Sequence, residues 1–156
     1  KKLDIKATYR DPCYLGRYNG IYDDPRDVME LCGIDLVEMP RNKENSFCCG
    51  AGGGRVWLPD HDDMTQRPSE NRIEEAVAVG VNNFTVACPK DMTMYADAAK
   101  TSGNEDNMAV KDIIDFVLEA MDLPEEVEEP EPIAEEVVPV ENTSESIDKN
   151  VSGDEE

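Results

Sequence analysis

The chain has 156 residues and a formal net charge of −21, with charged residues at 33% and aromatic residues at only 6%. So acidic a composition argues against nucleic acid as a partner, because phosphate binding needs a concentrated basic patch. No apolar run in these residues approaches the ~18 that cross a bilayer, and none reads as a signal peptide, while five cysteines, an odd number, argue against a disulfide framework and for a reducing compartment.

The opening residues KKLDIKATYR place a strand, Ile5 to Tyr9, almost at the first residue, which suggests a piece of a longer protein. Asp11-Pro12 stops that strand. A helix is expected from about Asp24-Pro25, with proline in its first turn, through Val28, Met29 and Leu31 to Gly33. Asp35 to Met39 alternates like a second strand and ends at Pro40. A long loop carrying Cys48, Cys49 and the run Gly50 to Gly54 follows. Ser69 with Arg72, Ile73, Ala76, Val77 and Val79 reads as a capped amphipathic helix closed by Gly80. Asn83 to Ala87 is the clearest strand, ended by Cys88-Pro89, and Asp91 to Lys100 reads as the next helix. Met108 to Asp112 and Asp112 to Met121 complete the pattern as a short strand and a final amphipathic helix.

Alternation of strands and helices favours a parallel sheet covered by helices, an α/β domain spanning residues 1–122. Residues 123–156, rich in Pro and Glu and holding more than half of the net negative charge, bury too little apolar surface to offset their ordering entropy. They are expected to form a disordered acidic tail. Its acidity serves solubility, or a salty cytoplasm, or docking to a basic partner.

The cysteines follow the strands. Cys13 comes after the first, Cys48 and Cys49 after the second, and Cys88 ends the third. In a parallel sheet the carboxyl ends share one edge, where ligands gather, so three distant segments would deliver four thiols to one place. Prolines 12 and 89 stiffen the backbone beside thiols. Gly50, Gly52 and Gly53 free backbone N–H groups to approach a bulky anion. Arg17, Arg41 and Arg55 are candidate partners for its charge, Arg55 above all because it closes the glycine run.

The runs RDPCYLGRYNG, NSFCCGAGGGR and ACPKD resemble the cysteine-rich CCG domain of heterodisulfide-reductase-like iron–sulfur proteins, with 34 residues between Cys13 and Cys48 and 38 between Cys49 and Cys88. GRYNGIYDDPR and MPRNKENSFCCGAGGGR look most like members that accompany electron-transfer flavoproteins and quinone-linked oxidoreductases. The resemblance implies an iron–sulfur cluster, [4Fe–4S] in the first instance, on Cys13, Cys48, Cys49 and Cys88. It also implies a redox partner: a flavoprotein, a ferredoxin-like domain or a quinone-linked subunit. The location implied is cytoplasmic, or at the inner face of the membrane through an upstream segment or another subunit. One departure matters. Where the family has the last cysteine of Cys-x-x-Cys, this chain has Asp91, a harder oxygen ligand. Five thiolates hold the non-cubane, disulfide-attacking cluster of some relatives, so electron relay gains weight here. Asp91 is then either an iron ligand or a cap in the first turn of its helix.

Other residues have plainer readings. Cys32 lies on an apolar helix face and is expected as a buried thiol. His61, the single histidine, sits in a polar run. GAGGG follows a loop and lacks dinucleotide-binding spacing. Met92 and Met94 suit helix packing. Trp57, Tyr14, Tyr18 and Tyr22 either shield a cluster or fill the core. Against an iron–sulfur electron carrier stand two alternatives: a structural zinc module, and a metal-free thiol–disulfide reductase using Cys48 or Cys49.

Overall fold

A computed structural model describes residues 1–60 and 62–121; His61 and residues 122–156 lie outside the described residues. So does the acidic tail expected from the composition. Four strands form one sheet: β1 (Ile5–Tyr9), β2 (Ile34–Leu36), β3 (Asn83–Val86) and β4 (Ala109–Asp112). Their order is β2-β1-β3-β4, and every neighbouring pair is parallel. The parallel α/β sheet expected from the sequence is therefore present.

The two inner strands are β1 and β3, which explains their composition. Ala7, Thr8 and Tyr9 of β1 and Phe84, Thr85 and Val86 of β3 are all fully buried, as strands covered on both faces must be. Alternate side chains go to opposite layers. On one face Ala7 and Tyr9 pack with Met29 and Cys32 of the first helical segment and Phe116 of the last. On the other, Phe84 and Val86 meet Ile73, Ala76, Tyr95 and Ala98. Helices α1 (Asp23–Leu31) and α4 (Ile113–Met121) thus cover one face, and α2 (Pro68–Ala78) and α3 (Pro89–Thr101) the other. Cys32 is buried in the first layer as expected, although it stands one residue beyond the end of α1.

Element boundaries differ from the sequence reading where tertiary contacts decide. β2 is three residues long rather than running on to Met39, because the ladder with β1 covers Ile34 to Leu36 and ends on one last bond from the Val37 N–H to the Ala7 carbonyl at 2.9 Å. Met39 instead drops into the core beneath α2 and α3. Ser69 does not cap α2. The helix begins one residue earlier, at Pro68, and the Arg67 N–H donates to the Glu70 carboxylate at 3.0 Å. Ser69 is buried inside its first turn. The long loop between β2 and α2 contains two short 3-10 turns, Lys43–Asn45 and Gly52–Trp57.

Candidate metal centre

The three cysteine segments all leave the carboxyl edge of the sheet, and side-chain bonds tie them together. Beyond β1 the Arg10 N–H still donates to the Thr85 carbonyl at 3.0 Å, so the first segment emerges beside β3. Asp11 follows. Its carboxylate accepts two bonds from Arg26, at 2.7 and 3.1 Å, and the backbone N–H of Lys43 at 2.7 Å. Its carbonyl accepts the Ser46 hydroxyl at 3.1 Å. Arg26 holds Glu38 with its remaining donors, and Arg17 donates to the Ser46 carbonyl at 2.7 Å. The stretch before Cys48 is thereby fastened to the stretch around Cys13. Cys13 itself precedes a π-helical turn, Tyr14–Tyr18. Gly16 lets the Tyr22 ring pack close against this turn, since a Cβ there would stand 2.6 Å from the ring and force it to move.

The thiols differ in exposure. Cys13 and Cys48 are exposed, Cys88 is half-buried, and Cys49 is only 5% exposed although it adjoins Cys48. Gly50 turns the chain with φ of 85° and donates its N–H to the Cys48 sulfur at 3.3 Å. Gly53 and Gly54 also have positive φ, and no atom lies within 4 Å of a Cβ placed on Gly52, Gly53 or Gly54. The glycine run thus presents open backbone beside the thiols. A cavity of about 350 Å³ adjoins Gly50, lined by apolar Val56, Leu58 and Met94 and by charged Arg55, Arg67 and Asp97.

Beneath the edge lies a charged pair that the sequence did not single out. Arg10 Nη1 bonds Asp91 Oδ2 at 2.6 Å, with both side chains almost wholly buried. Arg10 Nε donates to the Tyr95 hydroxyl at 3.2 Å, and Nη2 makes a long 3.5 Å contact with the Phe47 carbonyl. Asp91 Oδ1 has no hydrogen-bond partner. The Cys49 thiol is a neighbour of this carboxylate and works to lower its pKa. Burial nevertheless holds the Asp91 carboxyl above its ordinary value, against the pull of Arg10 and Cys49. Burial likewise pushes the Cys49 thiol up to about 12, with the Asp91 charge adding to the effect.

The arginines expected to face an anion are otherwise engaged. Arg55 donates to the carbonyls of Leu58 and Pro59 and pairs with Asp60. Arg41 pairs with Glu75, donates to Asn71 and lies 4.0 Å over the Phe47 ring. Tyr14, Tyr18 and Trp57 do not fill the core; they are 76%, 76% and 83% exposed, on the segments that flank Cys13 and the glycine run. The signal for Arg10 in the sequence was its position: a basic residue at the end of a buried strand, just before Asp11-Pro12-Cys13.

Among the described residues, no three side chains of His, Cys, Asp or Glu stand close enough to share one metal ion. A single tetrahedral zinc needs all its ligands about 2.3 Å from one centre. A polynuclear iron–sulfur cluster spreads its thiolates over several irons, so its ligands stand further apart. Exposed soft donors at Cys13 and Cys48, open glycine backbone and an N–H already directed at a sulfur suit such an anionic cluster.

This geometry and sequence place the chain in a defined class. It belongs to the CCG cysteine-rich domain family, whose model matches residues 7–93. Among individual relatives, it is 36% identical over 127 residues to the EtfAB:quinone oxidoreductase of Syntrophomonas wolfei, covering 78% of this chain and 18% of that protein. It is 37% identical over 120 residues to "Probable iron-sulfur-binding oxidoreductase FadF" of Bacillus subtilis, covering 76% and 17%. It is 37% identical over 128 residues to one of the subunits of the dihydromethanophenazine:CoB–CoM heterodisulfide reductase of Methanosarcina mazei, covering 79% and 29%. The chain thus spans less than a third of the length of these relatives, which are oxidoreductases or parts of them. No solved structure gives a significant match. Among the described residues no helix is long and apolar enough to cross a membrane.

Proposed function

We propose that this chain is the cluster-bearing module of a heterodisulfide-reductase-like iron–sulfur oxidoreductase, relaying electrons to and from a protein partner. The observation that carries the reading is that the segments bearing Cys13, Cys48, Cys49 and Cys88 follow parallel strands and are bonded to one another beyond their carboxyl ends, in a chain of this family. These four would hold the cluster, [4Fe–4S] in type, and the cluster supplies one-electron redox chemistry when bound. The chain's own residues prepare its seat. Gly50 already directs an N–H at a ligand sulfur, and Gly52 and Gly53 keep bulk away from it. Arg55 fixes the turn that follows the glycines rather than facing the cluster directly. Exposed Tyr14, Tyr18 and Trp57 around the thiols suit a partner surface, since aromatic residues concentrate in interface centres. The names of the relatives support a flavoprotein, a ferredoxin-like domain or a quinone-linked protein in that role.

A metal-free thiol–disulfide reductase fits less well at Cys49, whose thiol is buried and held protonated, because the thiolate is the attacking form. Anaerobic reconstitution of the full chain, followed by iron and zinc analysis and EPR, tests the proposal. The expected result is a brown protein with roughly four irons per chain, and loss of colour on Cys48→Ser or Cys13→Ser. A colourless protein that takes up zinc but no iron refutes it.

A further inference from the structure

The hydrogen bonds of Arg10 connect all three thiol-bearing segments. Arg10 itself stands three residues before Cys13, and its guanidinium reaches the carbonyl of Phe47, the residue before Cys48. Its strongest contact is with Asp91, three residues after Cys88, and its Nε contact is with Tyr95 one turn further along α3. Tyr95 is fully buried and its ring packs 4.7 Å from that of Phe84, so the guanidinium is anchored to β3 as well. We propose that Arg10 is the positioning residue of the thiol site: its ion pair with Asp91 holds the three cysteine segments in register and keeps the Asp91 carboxylate off the metal, so that ligation is by cysteine alone. This inference rests on the iron–sulfur reading of the site.

Two physical points support it. Neither partner can turn to water, since their side chains are 3% and 1% exposed. An Asp91 that moved to bind iron would give up its 2.6 Å bond and leave the Arg10 guanidinium hydrogen-bonded only to the Tyr95 hydroxyl and the Phe47 carbonyl, and breaking a buried pair from one side is strongly unfavourable. Binding through the unpaired Oδ1 would draw the same negative charge away from Arg10. Asp91 is therefore better placed as a counter-charge than as a fifth ligand, and the position three residues after Cys88 becomes part of the scaffold.

The test uses the full chain, reconstituted anaerobically, as wild type, Arg10→Gln, Asp91→Asn and the double variant. Iron content and the EPR line shape of the reduced cluster are measured, together with the alkylation rate of Cys49 in the metal-free chain. Both single variants should lose most of their iron, and both should alkylate at Cys49 about tenfold faster. The double variant should be no worse than either single one, because both residues act through one bond. Full iron loading with a changed EPR line shape in Asp91→Asn, beside a wild-type Arg10→Gln, would make Asp91 a ligand and overturn the proposal. If the single variants do not fold, Arg10→Met/Asp91→Leu removes both charges at similar volume. In that background poor loading of a folded chain supports the clamp, and wild-type loading and line shape overturn it. Should the wild type itself hold no cluster, the iron–sulfur reading fails separately. Cys49 alkylation then decides: an unchanged rate in Arg10→Gln overturns the clamp, and a faster one supports it.

Discussion

Replacing Arg26 by methionine should loosen the cysteine edge without touching a thiol. Arg26 makes a fork to Asp11 at 2.7 and 3.1 Å, holds Glu38 at 2.5 and 3.2 Å, and caps the Tyr22 carbonyl at 2.6 Å. Its guanidinium also lies 5.3 Å over the Tyr9 ring. Asp11 is almost wholly buried, and without Arg26 its carboxylate keeps the Lys43 N–H as its hydrogen-bond donor. Breaking a buried pair from one side costs about 3–5 kcal/mol, and the retained donor and half-exposed Glu38 argue for the lower end, about 3 kcal/mol. For a domain of this size that corresponds to a fall in Tm of roughly 10 °C. Urea unfolding of the metal-free chain, followed by far-UV circular dichroism under reducing conditions, measures it. The exposed Lys43–Asp23 pair provides the control, since Lys43→Ala removes a similar bond in water and should leave the midpoint unchanged. A change under about 0.5 kcal/mol for Arg26→Met would refute the claim that this network is what fastens the Cys48 segment to the Cys13 segment.

Three further outcomes are expected. Burial works to raise the Glu75 carboxyl, but bonds from Arg41 and Arg72 outweigh it and hold the group below its ordinary range. Its stabilisation should be complete above about pH 4.3 and disappear as pH falls through the lower folded value, so the midpoint gap between wild type and Glu75→Gln should close in acid. A constant gap from about pH 7 to about pH 3 would contradict this. Arg72 is fully buried with Nε and Nη2 unpaired, and Glu75 keeps Arg41 without it. Arg72→Met should leave the unfolding midpoint unchanged or raise it, whereas a loss as large as that of Glu75→Gln would mean the arginine stabilises the fold. Phe116→Ala, at a fully buried site between α4 and β1, should cost about 3–5 kcal/mol in the same unfolding assay, and a loss below about 1 kcal/mol would show that the layer collapses around the void.

Local pattern was enough to determine a good part of this molecule. Alternating apolar runs bounded by Pro and Gly specify strands and helices in an order that favours a parallel sheet, and in such a sheet the segments carrying Cys13, Cys48, Cys49 and Cys88 leave by the same edge. Those are consequences of periodicity and chain direction, which neighbouring residues carry. The tertiary structure decided what depends on segments far apart in the chain. Adjacent Cys48 and Cys49 take opposite environments because Cys49 belongs to the layer formed by α2, α3 and β3, with Ile73, Ala76, Phe84 and Tyr95, whereas Cys48 stays at the surface. Arg55, read as the cluster's counter-charge, spends its donors on carbonyls three and four residues away. Arg10, unremarked in the sequence, meets Asp91 across 81 residues because β1 lies next to β3 in the sheet. Charge pairing is chosen by proximity and burial rather than by order along the chain, so strand order had to be known before the fifth position of the cysteine motif could be read as part of a buried ion pair.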